Sequence, residues 1–598
     1  MEIVSLLTIS CILAAFVVLF FLLPQKLFFY SIETSVINKV FSNIVYASVV
    51  VILAGNLLPR FNLFNWLTLI LCYFIWPTVY WLGKNFKQLN SLLRTYLINK
   101  YLQLLDLLEF DNLSKALNQY LFDKKQICFS LLKKYIIKVD FSNPLSILSI
   151  VFVAITIAFI VTLNLSQPLE NLRLPFTESY QTLLQSWQIL LGTINSKEII
   201  LLPSIVAAIS TIAATDPLQT VRFFSPILLC LLAFLVGITV WRMTNYKSIG
   251  LIAIYFLGTN IFYWPKDNSF NKNHLSDSLL ETIYSVFQQA LSQPLFGGEN
   301  ILTCIFLLLA INFWNQLVKE GRGVNFKRTL VNTLISLTLV GLSSPLLLLP
   351  AFLTMVILIL LPSLGLLIFS ISLITLTLFV EINQARFSTA LELKFVLPIA
   401  ITLFCIAFCQ FLIYCTRFIV NRYAELIVIV IVLVLVIATS IVFLPRQPDF
   451  QYLEYDISAR KTLEITQQFP KKQWLVVAPV EQLAISYGYG WYEDLAVFVN
   501  KYQEEVKDAQ FNFLYPLDTF IFVEKKPFVV FDQEPQYVPF STLNDLTYKN
   551  YRSPAGRASL EQQAIILCET YRQFHPEMKV YYEDDVLRIY FIPKKDPS

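Results

Sequence analysis

Apolar runs close to 20 residues long recur along the first three quarters of the chain and then stop. They fall at about 3–23, 41–58, 62–82, 144–166, 219–241 and 248–264, then at 300–318, 329–346, 348–362, 364–381, 395–416 and 425–445. A helix needs about 20 apolar residues to cross a bilayer core, so the pattern predicts an α-helical polytopic membrane protein of about 12 spans. The region 329–381 is almost unbroken apolar sequence, divided only by its "SSP" and "LPSLG" breaks. The first run, "IVSLLTISCILAAFVVLFFLL", has no basic n-region and no small-residue cleavage site, which marks a retained span.

The loops between runs carry the orientation. The stretch 83–143 holds Lys84, Lys87, Arg94, Lys100, Lys115, Lys124, Lys125, Lys133, Lys134 and Lys138, and includes amphipathic segments such as "LRTYLINKYLQLLDLLEF". Basic loops stay cytoplasmic, so this is a cytoplasmic helical insert; its basic faces can touch anionic lipid heads, or it is a packed hairpin linking spans. Twelve spans put 242–247, 319–328 and 417–424 on the same side, and all three are basic. The loops 167–218, 265–299 and 382–394 then face outward, as does everything after 446. The predicted order is three N-terminal spans (1–82), the insert (83–143), a membrane domain (144–445) and an extracytoplasmic domain (446–598).

Past residue 446 charged residues become frequent and strand-like segments appear: "WLVVAP" (474–479), "DTFIFVE" (518–524), "PFVVF" (527–531) and the pair "KVYYEDDVLRIYFIP" (579–593). Helical segments at 457–469 and 555–573 lie between them, which predicts one mixed α/β domain of about 150 residues. Glu583, Asp584 and Asp585 stand where a hairpin turn is needed and are read as that turn. The Gly/Tyr-rich "SYGYGWYED" (486–494) reads as a loop able to stack on a sugar ring.

Composition agrees with a membrane protein: 56% of the 598 residues are hydrophobic and 14% charged, with 50 Phe. A formal net charge of +4 points to no nucleic-acid partner. The nine cysteines form no CxxC pattern, and most fall inside apolar runs as small hydrophobes. His274 has no second ligand nearby, so no metal site is predicted, and no cofactor is identified.

The outer stretch beginning "PFTESYQTLLQSW" (175–187) is half polar. Tyr180, Leu183, Leu184, Trp187, Leu190 and Leu191 share one helical face, with Glu178, Gln181, Gln185 and Gln188 opposite. The spacing predicts a helix lying on the outer membrane surface, capped by Thr177, with Tyr180 and Trp187 at headgroup level. The segment 199–214 is apolar but short and stops at Asp216-Pro217. A full crossing there would turn the basic 242–247 loop outward, so a shallow or re-entrant helix is expected.

An outer loop with an acid opening a surface helix, a short apolar helix, and then "DPLQTVRFFSPILL" leading inward together resemble the GT-C superfamily. These are multispan glycosyltransferases that use polyprenyl-phosphate sugars, among them protein mannosyltransferases, aminoarabinose transferases and oligosaccharyltransferases. The resemblance covers roughly 144–598, and an outer C-terminal domain is a further similarity. It implies that Glu178 is the catalytic carboxylate and that Asp267, in "YWPKDNSFNKNHLSD", is the second acid, with Asp277 a weaker candidate. The sequence departs from the family in lacking a paired acidic motif and in reducing Pro-Pro-Leu to a lone Pro203.

The chemistry implied is glycosyl transfer from a lipid phosphate in the plasma membrane of a bacterium, with membrane lipids around it. A carboxylate takes the acceptor's proton. Arg222, Arg173 and Lys266 are candidates to hold the departing phosphate, and Trp187 to line the substrate site. Each has a plainer reading: Glu178 as a helix-dipole partner, Asp267 as a solvated loop acid, Arg222 as a snorkelling side chain, Asp216 as a turn residue. A non-catalytic member of the fold and a transporter or flippase of lipid-linked saccharides are the alternatives. Transporters, however, tend to carry midplane charges and internal repeats, and neither is evident here.

Overall fold

The computed structural model describes residues 2–28, 36–85, 168–174, 177–194, 199–244, 298–320, 326–360, 365–382, 396–419, 456–479, 481–508, 510–513, 515–526 and 554–594, with single positions near 165 and 250–257. The expected spans at 144–166 and 425–445, the insert 83–143 beyond Asn85, most of 248–264 and the strand at 527–531 lie outside the described residues.

The membrane part begins with α1 (Glu2–Val17), which runs on through a π-helical turn (Val18–Leu22) and a last helical stretch (Leu23–Phe28). The helices that follow are α2 (Val36–Leu57), α3 (Trp66–Asn85), α4 (Thr177–Leu191), α5 (Leu202–Ala213), α6 (Pro217–Thr244), α7 (Gly298–Glu320), α8 (Phe326–Ser343), α9 (Leu348–Leu360), α10 (Gly365–Ile382) and α11 (Leu397–Ile419). Among the described residues four stretches are long and apolar enough to cross a membrane: Ser5–Gln25, Ile37–Phe61, Pro217–Thr244 and Gly298–Lys319. The helices near 348–360, 365–382 and 397–419 match expected apolar runs, but their described apolar parts are shorter. The chain is thus a largely helical membrane protein.

Amide side chains donate to hydroxyls between these helices, although the Oδ1 atoms of Asn312 and Asn332 are buried without a hydrogen-bond donor. Asn312 donates to the Thr239 hydroxyl at 2.6 Å, tying α7 to α6. Asn332 donates to the Ser42 hydroxyl at 2.8 Å, tying α8 to α2. At one end of the bundle the cations gather: Lys319 Nζ donates to the Arg242 carbonyl at 2.5 Å, and Arg242 to Asn38 Oδ1 at 2.5 Å while lying over the Phe41 ring. Arg328 opens α8 at the same end.

The short helix expected at 199–214 is α5, twelve residues long. It is not shallow. Leu202 through Ser210 are all buried, and α5 packs against α1, α2, α3, α4, α6 and α7. Its close approach to α2 requires Gly55, where a Cβ would stand 2.5 Å from Ser204 Cβ. It ends on Ala214 at φ 51°, a left-handed cap that turns the chain toward Asp216.

The C-terminal domain holds α12 (Asp456–Gln468), β1 (Trp474–Ala478), α13 (Glu481–Ser486), β2 (Trp491–Asp494), α14 (Leu495–Tyr502), β3 (Asp518–Glu524), α15 (Pro554–Phe574), β4 (Lys579–Glu583) and β5 (Leu587–Ile592). The sheet order is β2-β1-β3-β5-β4, with β1 parallel to β2 and β3, and β5 antiparallel to β3 and β4. Alternate residues feed two cores. Leu475, Val477, Ile521 and Val523 join α14 and α15, whereas Trp474, Val476, Phe520 and Phe522 meet Ile465 of α12. The turn expected at Glu583–Asp585 is present: Asp584 Oδ1 accepts from the N–H groups of Val586 and Leu587. The expected loop 486–494 is corrected in part, because its second half is strand β2.

Candidate functional site

A cleft of about 260 Å³ opens where several helices end together. Its walls are Ser179, Gln181, Thr182 and Gln185 from α4, the segment Ile199–Leu202 with Val206, and Val221, Phe224 and Ser225 from α6. Gly298 and Glu299 open α7 into it, and Leu342 and Ser343 close α8 against it. The junction is close: a Cβ at Gly298 would lie 2.6 Å from a terminal methyl of Leu202. The cleft and the cation cluster sit at opposite ends of α6, α7 and α8.

The periodicity of α4 explains its part. Tyr180, Leu183 and Leu184 are buried, and the Tyr180 hydroxyl accepts from the Leu174 N–H at 3.1 Å. Over this turn the face packs into the protein, which corrects the expected contact of Tyr180 with headgroups. The opposite face supplies the Gln and Ser/Thr groups of the cleft. The second wall is held by Asn56 of α2. Its amide donates to the Ile200 carbonyl at 2.9 Å and to Ser204 Oγ at 3.1 Å, and its Oδ1 accepts from the Ile200 N–H at 2.9 Å.

Further along, α4 meets the C-terminal domain. Trp187 packs edge-on to Tyr489 with ring centroids 5.1 Å apart, and the Tyr487 and Thr193 hydroxyls are 3.0 Å apart. Tyr489 donates to Asp216 Oδ2 at 2.6 Å, and Asp216 Oδ1 caps α6 by accepting from the Leu218 N–H. Burial raises the Asp216 carboxyl above its ordinary range, against the hydrogen bonds from Tyr489 and Leu218 and the Lys471 charge; burial and Asp216 together raise the Tyr489 hydroxyl. Tyr487 and Tyr489, in the stretch expected to stack on a sugar, are occupied in docking.

The site residues named from sequence separate into three groups. Position 178 lies in the first turn of α4, but its side chain is outside the described residues, as are Asp267 and Lys266 entirely. Arg222 does not line the cleft. Its guanidinium donates to Gln219 Oε1 at 2.6 Å, to the Asn171 carbonyl at 2.8 Å and to the Pro168 carbonyl. Arg173 and Trp187 do not line it either; the Arg173 N–H donates to Asp456 Oδ1 at 3.1 Å. Glu299 does line the cleft, and sequence reasoning misses it. Its one signal is a solitary acid at the start of an apolar run, in "FGGENILTC".

Among the described residues no group of His, Cys, Asp and Glu is placed to hold a metal ion. No family model matches the chain, and no curated protein or solved structure is detectably similar to it.

Proposed function

We propose that this chain is a membrane glycosyltransferase of the GT-C type, moving a sugar from a polyprenyl-phosphate donor to an acceptor at the outer membrane face, in envelope or surface glycan synthesis. One observation carries the reading: a polar cleft stands at the end of the apolar helices opposite Arg242, Lys319 and Arg328. Basic ends stay cytoplasmic, so the cleft belongs to the outer side, where an isoprenoid tail remains in lipid and its sugar head reaches the protein.

Glu178 is the acceptor's base in this reading. It precedes Gln181, Thr182 and Gln185 by three, four and seven residues, the spacing of one helical face. The acceptor hydroxyl attacks the anomeric carbon, its proton passes to the carboxylate, and the bond from the anomeric carbon to the phosphate oxygen breaks with its electron pair leaving on the phosphate. Departure is easy because the phosphate carries the charge; activation of the acceptor is where a positioned base contributes.

The test uses the full chain in vesicles, with radiolabelled polyprenyl-phosphate hexoses and membrane glycan acceptors. Glu178→Gln should lower transfer by about 100-fold or more at equal folded protein. Full transfer by that variant would remove the assignment. Thiol labelling of a cysteine at position 178 from the same side as one at position 322 would remove the whole proposal.

A further inference from the structure

We propose that Glu299 sets the specificity of the cleft, so that it accepts an uncharged sugar ring and excludes anionic ones, the donor's phosphate lying outside it. The inference rests on reading this cleft as the place of sugar chemistry, but it concerns which sugars enter and not how they react. Its basis is the composition of the wall. Every other polar side chain there is a neutral hydroxyl or carboxamide, and Glu299 is the one charged group among the described lining residues. No arginine, lysine or histidine is among them.

Such a wall matches a polyol. Hydroxyl groups of a sugar donate to a carboxylate in short charge-assisted bonds, and Ser and Gln side chains both donate and accept. The apolar side of the cleft, from Val206, Val221, Phe224 and Leu342, suits the C–H face of a pyranose. A phosphate or uronate meets the opposite conditions: like charge at close range, with no cation in the described wall to offset it. Arg222, sought for phosphate, points elsewhere, since it is bound to backbone carbonyls of 168 and 171.

Glu299 is also free for this task. Among the described residues nothing hydrogen-bonds or ion-pairs with its carboxylate, and it is exposed at the cleft. It stands in the first turn of α7, where the positive end of the helix dipole favours a negative charge. That dipole is the plainer account of the residue, and the two accounts differ in what substitution does to ligand choice.

The measurement is saturation-transfer NMR on the full chain in lipid nanodiscs. The probes are neutral methyl pyranosides of hexoses and N-acetylhexosamines, with methyl glucuronide and glucose 1-phosphate as anionic counterparts. The wild-type chain should prefer neutral over anionic probes by about tenfold or more. Glu299→Gln should reduce that ratio by about tenfold, and Glu299→Asp, which keeps the charge, should largely preserve it. Ser343→Ala should weaken all probes alike. Thermal unfolding checks that each variant folds, and Glu299→Ser, which also removes the charge and should reduce the ratio likewise, keeps the test decisive if Glu299→Gln does not.

Equal binding of uronide and neutral glycoside, an unchanged ratio in Glu299→Gln, or no saturation transfer to any probe would overturn the proposal. Selective sugar binding without turnover on any lipid-phosphate donor would sink the transferase reading and leave this one standing. Equal transfer of glucose and glucuronate from their lipid phosphates would do the reverse.

Discussion

The Tyr489 hydroxyl donates to Asp216 at 2.6 Å, and the same carboxylate caps α6 through the Leu218 N–H at 2.7 Å. One side chain thus fixes both the start of a membrane helix and the seat of the C-terminal domain. Tyr489→Phe keeps the ring against Trp187 and removes only the donor. Docking should weaken by roughly 1–2 kcal/mol, the size of a hydrogen bond to a partly buried charged group. Faster hydrogen exchange at 486–490, with the sheet unaffected, is the expected signature; unchanged exchange would show the bond to be dispensable.

Asp216 also gives stability a pH dependence. Burial raises its carboxyl, so the folded chain keeps this proton at a pH where the unfolded chain has released it. The contribution is greatest in acid and is lost as pH climbs from about 4 through the raised value. Asp216→Asn removes this titration while its carboxamide still bonds Leu218 and Tyr489. Relative to the wild type, the variant should therefore gain in melting temperature between about pH 4 and 8. A difference that stays constant across that range would contradict the sign.

Asn56 holds the cleft wall by gripping both backbone groups of Ile200, at 2.9 Å each. Asn56→Ala leaves an N–H and a carbonyl without partners in a half-buried place, a cost of about 2–4 kcal/mol. Asn56→Asp should be worse than its shape suggests, because its second oxygen would face the carbonyls of Ile200 and Ile52. Thermal unfolding of the three proteins should rank wild type above both variants. Sugar-probe binding should fall with stability, because Ile199–Leu202 loses its anchor.

What sequence can reveal here is local periodicity. Long apolar runs predict α6 and α7 to within a few residues, and short runs rich in β-branched and aromatic residues predict β1, β3, β4 and β5, since those signals reside in neighbouring residues. Pairing is not local. The grip of Asn56 on Ile200 spans 144 positions, and an Asn near a span's end reads simply as an interfacial residue. The apolar face of α4 has the same spacing whether it meets lipid or protein, and only the packed structure shows Trp187 against Tyr489. Strand β2 hides in a Gly/Tyr-rich stretch because "WYED" is short and acquires its identity by pairing with β1. Glu299 escapes notice because one acid at the edge of a run has no pattern at all.

The contact between α2 and α5 offers a test of packing alone. A methyl at Gly55 would stand 2.5 Å from Ser204 Cβ, closer than any van der Waals contact allows. Gly55→Ala should cost about 1–3 kcal/mol through forced separation of the helices. Ser204→Gly removes the atom struck, so the double variant should recover most of that loss although each single change destabilises. Additive losses in the four-member cycle would show that the strain has another source.

Arg222 separates a structural cation from a phosphate ligand. Its guanidinium reaches Gln219 and the carbonyls of Pro168 and Asn171, drawing 168–174 against α6, while Asp456 of the C-terminal domain accepts from the N–H groups of Leu172 and Arg173. A planar fork serves three acceptors at once, and a lysine ammonium on a flexible stem does not. Arg222→Lys, which retains the charge, should therefore lower thermal stability nearly as much as Arg222→Met. Both should leave the KM for a lipid-phosphate donor unchanged per folded molecule. A phosphate ligand behaves otherwise: lysine would rescue most of the binding, and Arg222→Met would fold normally with a raised KM that grows less sensitive to salt. The three acceptors are all oxygens of the chain itself, two of them backbone carbonyls that no substitution elsewhere can remove. A shared loss of stability in both variants is therefore the outcome this geometry requires.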